Sequence, residues 1–276
     1  MMSFKTHLSR TGTHEENLKK RFGRAAYYDG TEIFETPLYC MGFTNRCGSN
    51  LLADYLRATP YFGGFHEQLN FDSVVKSSEQ WGTTSLSEYM VSAGKTFGAD
   101  RTSYGFKASA DQLMMLQRFG IAGMYRGGMK VIHITREDLI GQAISYQIAL
   151  QTRKWTSNQA GVGDDVVVQF DARQLTAIID AIQADNSSIA MFAAAFGYPY
   201  LHVSYENLVE DPAPSSTRLP PSPEKTAAPG LSALPRSRSS HRRSTTNSAR
   251  VTTITCAATF SESQTGRICA RCGPST

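Results

Sequence analysis

Between residues 36 and 211, short apolar runs alternate with longer amphipathic stretches, and no other feature constrains the fold as tightly. Leu38-Tyr39-Cys40-Met41 lies between Pro37 and Gly42. Tyr61 to Phe65, Tyr104 to Lys107, Lys130 to Ile134 and Tyr200 to Val203 are further runs of the same kind. Each is short for a helix and rich in branched or aromatic side chains, which predicts strands. The stretches between them carry helical spacing. Leu51, Leu52, Tyr55 and Leu56 share a face that ends near Thr59-Pro60. Leu113, Met114, Leu116 and Phe119 form a second face, and Leu139, Ile140, Ala143, Ile144, Gln147 and Ile148 a third. A long helix spans about Ala172 to Ala195, and residues 70–100 read as helices and loops. Strands alternating with helices predict an α/β fold, a P-loop-like doubly wound parallel sheet flanked by helices, with ligands at the strand C-termini.

Composition divides the chain into three parts. Residues 1–35 read as an N-terminal extension, where Thr13 and Glu16 have the spacing of a capping box opening a helix to about Arg24. Residues 36–211 carry the alternating strand and helix pattern and read as one folded domain. From Pro212 to Thr276 the chain holds eight Arg, one Lys and two Glu, so the formal charge of +4 belongs to this last part, and residues 1–211 are net acidic. The same segment carries eight of the eleven prolines and no apolar periodicity, a composition that does not offset its ordering entropy. Two readings of 212–276 stay open: a disordered basic tail, or an out-of-frame C-terminus that replaces the last elements of the domain. Because the basic excess lies outside the folded part, it is no argument for nucleic-acid binding by the domain. The polar N-terminus lacks the apolar core of a secretory signal. The uncharged stretch Asn186 to Ser204 is interrupted by Gly197, Pro199 and His202, so no membrane span is expected and the location is read as cytoplasmic. Only Cys40 and Cys47 precede residue 212, which fits a reducing compartment.

The loop Gly42-Phe43-Thr44-Asn45-Arg46-Cys47-Gly48-Ser49-Asn50 joins the first strand to the first helix, where backbone N–H groups and a helix N-terminus make an anion cradle. It departs from the Walker pattern. Five residues separate Gly42 from Gly48, Ser49 stands where lysine belongs, and the cation is Arg46. Cys40 and Arg46 also fit C-x-x-x-x-x-R, the spacing of cysteine-dependent phosphatases, and that reading stands as a remote alternative. A second cation, Arg136, ends the strand Val131 to Ile134, and Ser145 follows nine residues later inside the next helix. An Arg fork and a hydroxyl suit a phosphate, and a doubly wound sheet puts this strand end on the same rim as the first loop. One ligand with two separated anionic groups accounts for both.

Over about 37–211 these residues resemble the sulfotransferases that use 3′-phosphoadenosine 5′-phosphosulfate (PAPS), most closely the bacterial trehalose 2-sulfotransferase type. Asn45-Arg46-Cys47-Gly48-Ser49-Asn50 is similar to the family's 5′-phosphosulfate loop, departing from it at Cys47 and Asn50. Arg136 through Gln142-Ala143-Ile144-Ser145, continuing to Gln151-Thr152 and Trp155, is similar to its 3′-phosphate segment, with Arg136 and Ser145 as ligands. Gly105-Phe106-Lys107 and Ser204-Tyr205-Glu206-Asn207-Leu208 resemble two further family segments. The resemblance implies a PAPS donor, no metal, a carbohydrate hydroxyl as acceptor, and a homodimer. It makes Glu67 in Gly64-Phe65-His66-Glu67-Gln68 the acceptor base, with His66 the second choice, and Lys107 a source of charge at the sulfonate. The segment after residue 211 does not match the helix and basic stretch with which the family continues. A non-catalytic nucleotide-binding pseudoenzyme is therefore the alternative to a working sulfotransferase.

Overall fold

The computed structural model describes residues 4–98, 101–155 and 167–210. The expectation of disorder over 212–276 lies outside the described residues. Five strands form one parallel sheet: β1 (Leu38–Gly42), β2 (Phe62–Gly64), β3 (Ser103–Ala108), β4 (Met129–Thr135) and β5 (Tyr200–Ser204). Their order is β2-β3-β1-β4-β5. Every neighbouring pair is parallel, with Cys40 level with Phe106 on one side and Val131 on the other. Helices flank the sheet, so the α/β expectation is met.

Nine α-helices, α1 (Phe4–Leu8), α2 (Thr13–Phe22), α3 (Ser49–Ala58), α4 (Phe71–Trp81), α5 (Leu86–Gly98), α6 (Ala110–Arg118), α7 (Leu139–Thr152), α8 (Ala172–Phe196) and α9 (Tyr205–Glu210), are present among the described residues. Central β1 is buried at all five positions, as a strand covered on both faces must be. Its residues divide by parity. Leu38 and Cys40 join Phe106, Ala108, Met129 and Val131 in the main core, against Leu113, Met115 and Leu116 of α6 and Ile189 and Phe192 of α8. Where sequence fixes helix ends, it does so by side chains reaching orphan N–H groups. Ser109 and Gln112 form a reciprocal capping box on α6, and Asp171 accepts from the N–H groups of Arg173 and Gln174 on α8. The box expected at Thr13 and Glu16 does not form, because Thr13 is already helical and Gly12 is the cap, with no side chain to offer. None of the described helices is long and apolar enough to cross a membrane.

The chain leaves β1 toward β2 and β3 on one side, then crosses to β4 and β5 on the other. The segments after β1 and β4 therefore diverge, leaving a crevice at the strand C-termini. The candidate site lies there.

Candidate functional site

A cleft of about 860 Å³ opens at this end of the sheet. It is lined from the loop after β1 (Phe43, Asn45, Arg46, Gly48), from α3 (Ser49, Asn50, Asp54, Arg57), and from Glu67, Arg136, Ser145, Trp155 and Tyr205. Four separate strand ends thus contribute to one surface.

Two backbone positions shape the first loop. Gly48 has φ +91° and caps α3, and Arg46 has φ +65°, unusual for a residue with a Cβ. A side chain at Gly48 would put its Cβ 2.3 Å from the Tyr205 ring, so glycine lets that ring close against the loop. The Arg46 guanidinium turns toward α7. Its Nε donates to Ser145 Oγ at 2.9 Å, and its Nη1 donates to the Trp155 carbonyl. The two loops expected at opposite ends of a ligand therefore meet side chain to side chain. Accepting from Arg46 leaves the Ser145 O–H free in direction to donate to an anion.

Arg136 leaves β4 and is held on three sides. Its Nη2 donates to Asp138 Oδ2 at 3.0 Å, and its guanidinium lies 5.3 Å from the centre of the Tyr205 ring. Glu206 accepts the N–H groups of Glu137 at 3.0 Å and Asp138 at 3.3 Å, which fixes the backbone just beyond Arg136. The Gly141 N–H, and then Arg136, hold the Asp138 carboxyl below its ordinary range. At Glu206 burial pushes the carboxyl up, but the N–H groups it accepts and the Arg136 charge outweigh this and lower it. Arg136 Nε is buried with no hydrogen-bond partner among the described residues. A buried charged donor without an acceptor is costly, and an anion in the cleft would satisfy it.

At the β2 side, Glu67 stands 45% exposed above a buried lysine. Lys107 Nζ donates to Glu67 Oε1 at 2.8 Å and to Asn50 Oδ1 at 2.7 Å, and lies 5.1 Å from the centre of the Phe43 ring. The second carboxylate oxygen accepts from Asn70 Nδ2 at 3.2 Å. These groups take the place of water around a lysine only 5% exposed. Arg57 ties α3 to the same loop, donating to the carbonyls of Gly64 and Phe65 at 3.4 and 3.2 Å.

The structure thus brings Arg46, Gly48, Ser49, Asn50, Glu67, Arg136 and Ser145 to one cleft, with Lys107 directly beneath. Two expected residues are not brought there. Cys47 is wholly buried, its thiol pushed up to about 11 by burial, and its N–H turns back to the Thr44 carbonyl at 3.4 Å. His66 lies outside the lining with part of its surface exposed, its ring 5.8 Å from that of Phe97, and partial burial, then the Arg57 and Lys107 charges, lower its imidazole. The phosphatase alternative is corrected outright: Cys40 is fully buried in the middle of β1, and burial raises its thiol far above the ordinary range. No thiolate is available there to attack phosphorus.

Sequence reading missed Asp54 and Arg57, and gave Tyr205 no role. A signal for the first two was present. They stand at i and i+3 among leucines on a helix that begins in the loop itself, so its first turns overhang the cleft. Tyr205 had none, because its partner Gly48 lies more than 150 residues away. Among the described residues no three His, Cys, Asp or Glu side chains gather to hold a metal ion.

No individual curated protein matches this chain. A family model described as Stf0 sulphotransferase does match, over residues 38–219, from the first residue of β1 through all five strands and the whole cleft lining. That span is well over half of the sequence, and the chain belongs to the Stf0 sulphotransferase family.

Proposed function

We propose that this chain transfers a sulfonate group from PAPS to a carbohydrate hydroxyl, with a trehalose-like sugar as acceptor. Membership of a sulfotransferase family gives the reaction class. The observation that carries the finer reading is the convergence of Arg46, Arg136, Ser145 and Glu67 on one cleft at the strand C-termini. Arg136 Nε, without a partner among the described residues, the left-handed turn at Gly48 and the Ser145 hydroxyl fit a nucleotide with two anionic groups.

In this reading Arg136 and Ser145 hold the 3′-phosphate. Arg46 and the N–H groups of Gly48 and Ser49 hold the 5′-phosphosulfate at the N-terminus of α3. The donor supplies an activated sulfonate whose leaving group is adenosine 3′,5′-bisphosphate. Glu67 takes the acceptor's proton as the acceptor oxygen bonds to sulfur. The bond from sulfur to the 5′-phosphate oxygen breaks, and its electron pair goes to that phosphate. Arg46 and the loop N–H groups stabilise the charge that builds there, and Lys107 keeps Glu67 aimed. Asp54 and Arg57 border the acceptor end.

The test is a sulfate-transfer assay with PAPS and a panel of disaccharides, beside calorimetric titration with adenosine 3′,5′-bisphosphate. Sulfated sugar is expected, together with bisphosphate binding. Binding without transfer to any sugar would leave a nucleotide-binding protein that is not catalytic. Glu67→Gln is expected to lower turnover by about 10²–10⁴, the usual contribution of one positioned base, while the bisphosphate binds as before. Near-normal turnover would remove Glu67 as the base.

A further inference from the structure

Gln142 lies one turn before Ser145 on α7 and has no exposed surface. Its Nε2 uses both hydrogens on the first loop, donating to Thr44 Oγ1 at 2.9 Å and to the Asn45 carbonyl at 2.8 Å. Thr44 Oγ1 passes the connection on to Asn186 Oδ1 at 3.5 Å, which also faces His133 Nε2 at 3.2 Å. The amide orientation is fixed by chemistry, since the reverse would set the Gln142 oxygen against the Asn45 oxygen. Gln142 Oε1 is buried with no hydrogen-bond partner among the described residues. A side chain selected for packing alone would carry no such orphan, because methionine fills the same volume without it.

The two residues that Gln142 grips immediately precede Arg46. Arg46 holds a left-handed backbone conformation that a residue with a Cβ leaves unless outside bonds hold it. The same helix then receives Arg46 itself, through Ser145 Oγ. Residues 142 and 145 of α7 therefore meet residues 44, 45 and 46 of the loop in register.

We propose that Gln142 is a positioning residue for the anion cradle: it locks the turn at Thr44 and Asn45 so that Arg46 and the N–H groups of Gly48 and Ser49 are aimed before the donor arrives. The inference rests on the donor-binding role given to Arg46 above, and it makes α7 the common frame for both anion positions. Gln142 itself touches no reacting atom.

The test compares the full chain with Gln142→Met, which keeps volume and removes both donors. One readout needs no ligand: hydrogen–deuterium exchange of residues 42–50 against that of β1 and β4. The expected result is faster exchange in the loop with unchanged exchange in the two strands. The second readout is titration with adenosine 3′,5′-bisphosphate, where affinity is expected to fall at least roughly tenfold, as misplaced binding groups do. Donor KM should rise with it while acceptor KM holds. Unchanged loop exchange and unchanged affinity in Gln142→Met would overturn the proposal. Failure of the wild-type chain to bind the bisphosphate would instead overturn the donor assignment, and the exchange comparison would still decide the role of Gln142. If Gln142→Met does not fold, Thr44→Val removes one of the two acceptors and is expected to loosen the loop by a smaller factor; no loosening there would equally overturn the proposal.

Discussion

Arg136 shows how much a single side chain can be arranged for a ligand rather than for the fold. Its Nη2 is paired with Asp138 and its face with Tyr205, yet Nε stays buried and unpartnered among the described residues. Its removal therefore takes away little that stabilises the free protein. Arg136→Ala is expected to weaken bisphosphate binding by roughly ten- to a hundredfold, the scale of one charge-assisted hydrogen bond, with the thermal midpoint nearly unchanged; calorimetry and melting curves check both. His133 is the opposite case. It is 2% exposed on β4, with Tyr200 on one ring nitrogen and Asn186 on the other. Burial pulls its imidazole down to about 4 from 6.5, while the bond to Asn186 pushes back. The folded state therefore favours the neutral ring. Its contribution is full above pH 6.5 and is lost as pH falls from there toward 4, up to about 3 kcal/mol over that window. His133→Gln should show a shallower loss of stability between pH 7 and 4 than the wild type in urea titrations. Equal slopes would refute this.

At the scale of elements, α7 inverts the usual amphipathic rule. Its aliphatic residues Ile140, Ile144 and Ile148 are exposed, while Gln142 and Gln147 are buried. The inversion has a local cause. Gln142 reaches the first loop, and Gln147 Nε2 donates to the Asp171 carbonyl at 2.7 Å, so each buried amide satisfies backbone groups that apolar side chains would strand. Apolar spacing located this helix correctly but did not reveal its buried face. The contact of Gly48 with Tyr205 joins two other elements, the loop before α3 and the start of α9. Gly48→Ala adds a Cβ 2.3 Å from the ring at a left-handed position. It is expected to cost about 2–4 kcal/mol in denaturant unfolding and to abolish bisphosphate binding, since Tyr205 can no longer sit under Arg136. Gly82→Ala is the control. It shares a positive φ of +67° but has no atom within 4 Å, so it should cost only about 1 kcal/mol and leave binding intact.

The molecule as a whole extends the packed body beyond the residues that the family match covers. Helices α1 and α2 dock on α6 and α8 through specific bonds. His7 meets Ser188 at 2.7 Å, and Arg10 pairs with Asp185. Glu15, 1% exposed, holds Arg118 and Lys19. Burial pushes the Glu15 carboxyl up, but the two cations outweigh it and hold it below the usual range. Glu15→Ala leaves Arg118 without its carboxylate partner and is expected to cost about 2–3 kcal/mol in chemical denaturation. Bisphosphate affinity should not change, because neither residue lines the cleft. A loss of binding equal to that of Arg136→Ala would contradict this separation.

Sequence by itself determined the five strands, their alternation with helices and the two cationic loops, because these depend on local periodicity and on residue types a few positions apart. It also pointed to Glu67, although only through resemblance. Tertiary structure alone decided that Arg46 would meet Ser145, that Tyr205 would close over Gly48, that Lys107 would sit beneath Glu67 and that α7 would bury its glutamines. Each of these joins segments about 40 to 160 residues apart or reverses a local preference, and no spacing along a chain encodes which distant polar groups will be left to pair once the sheet has closed.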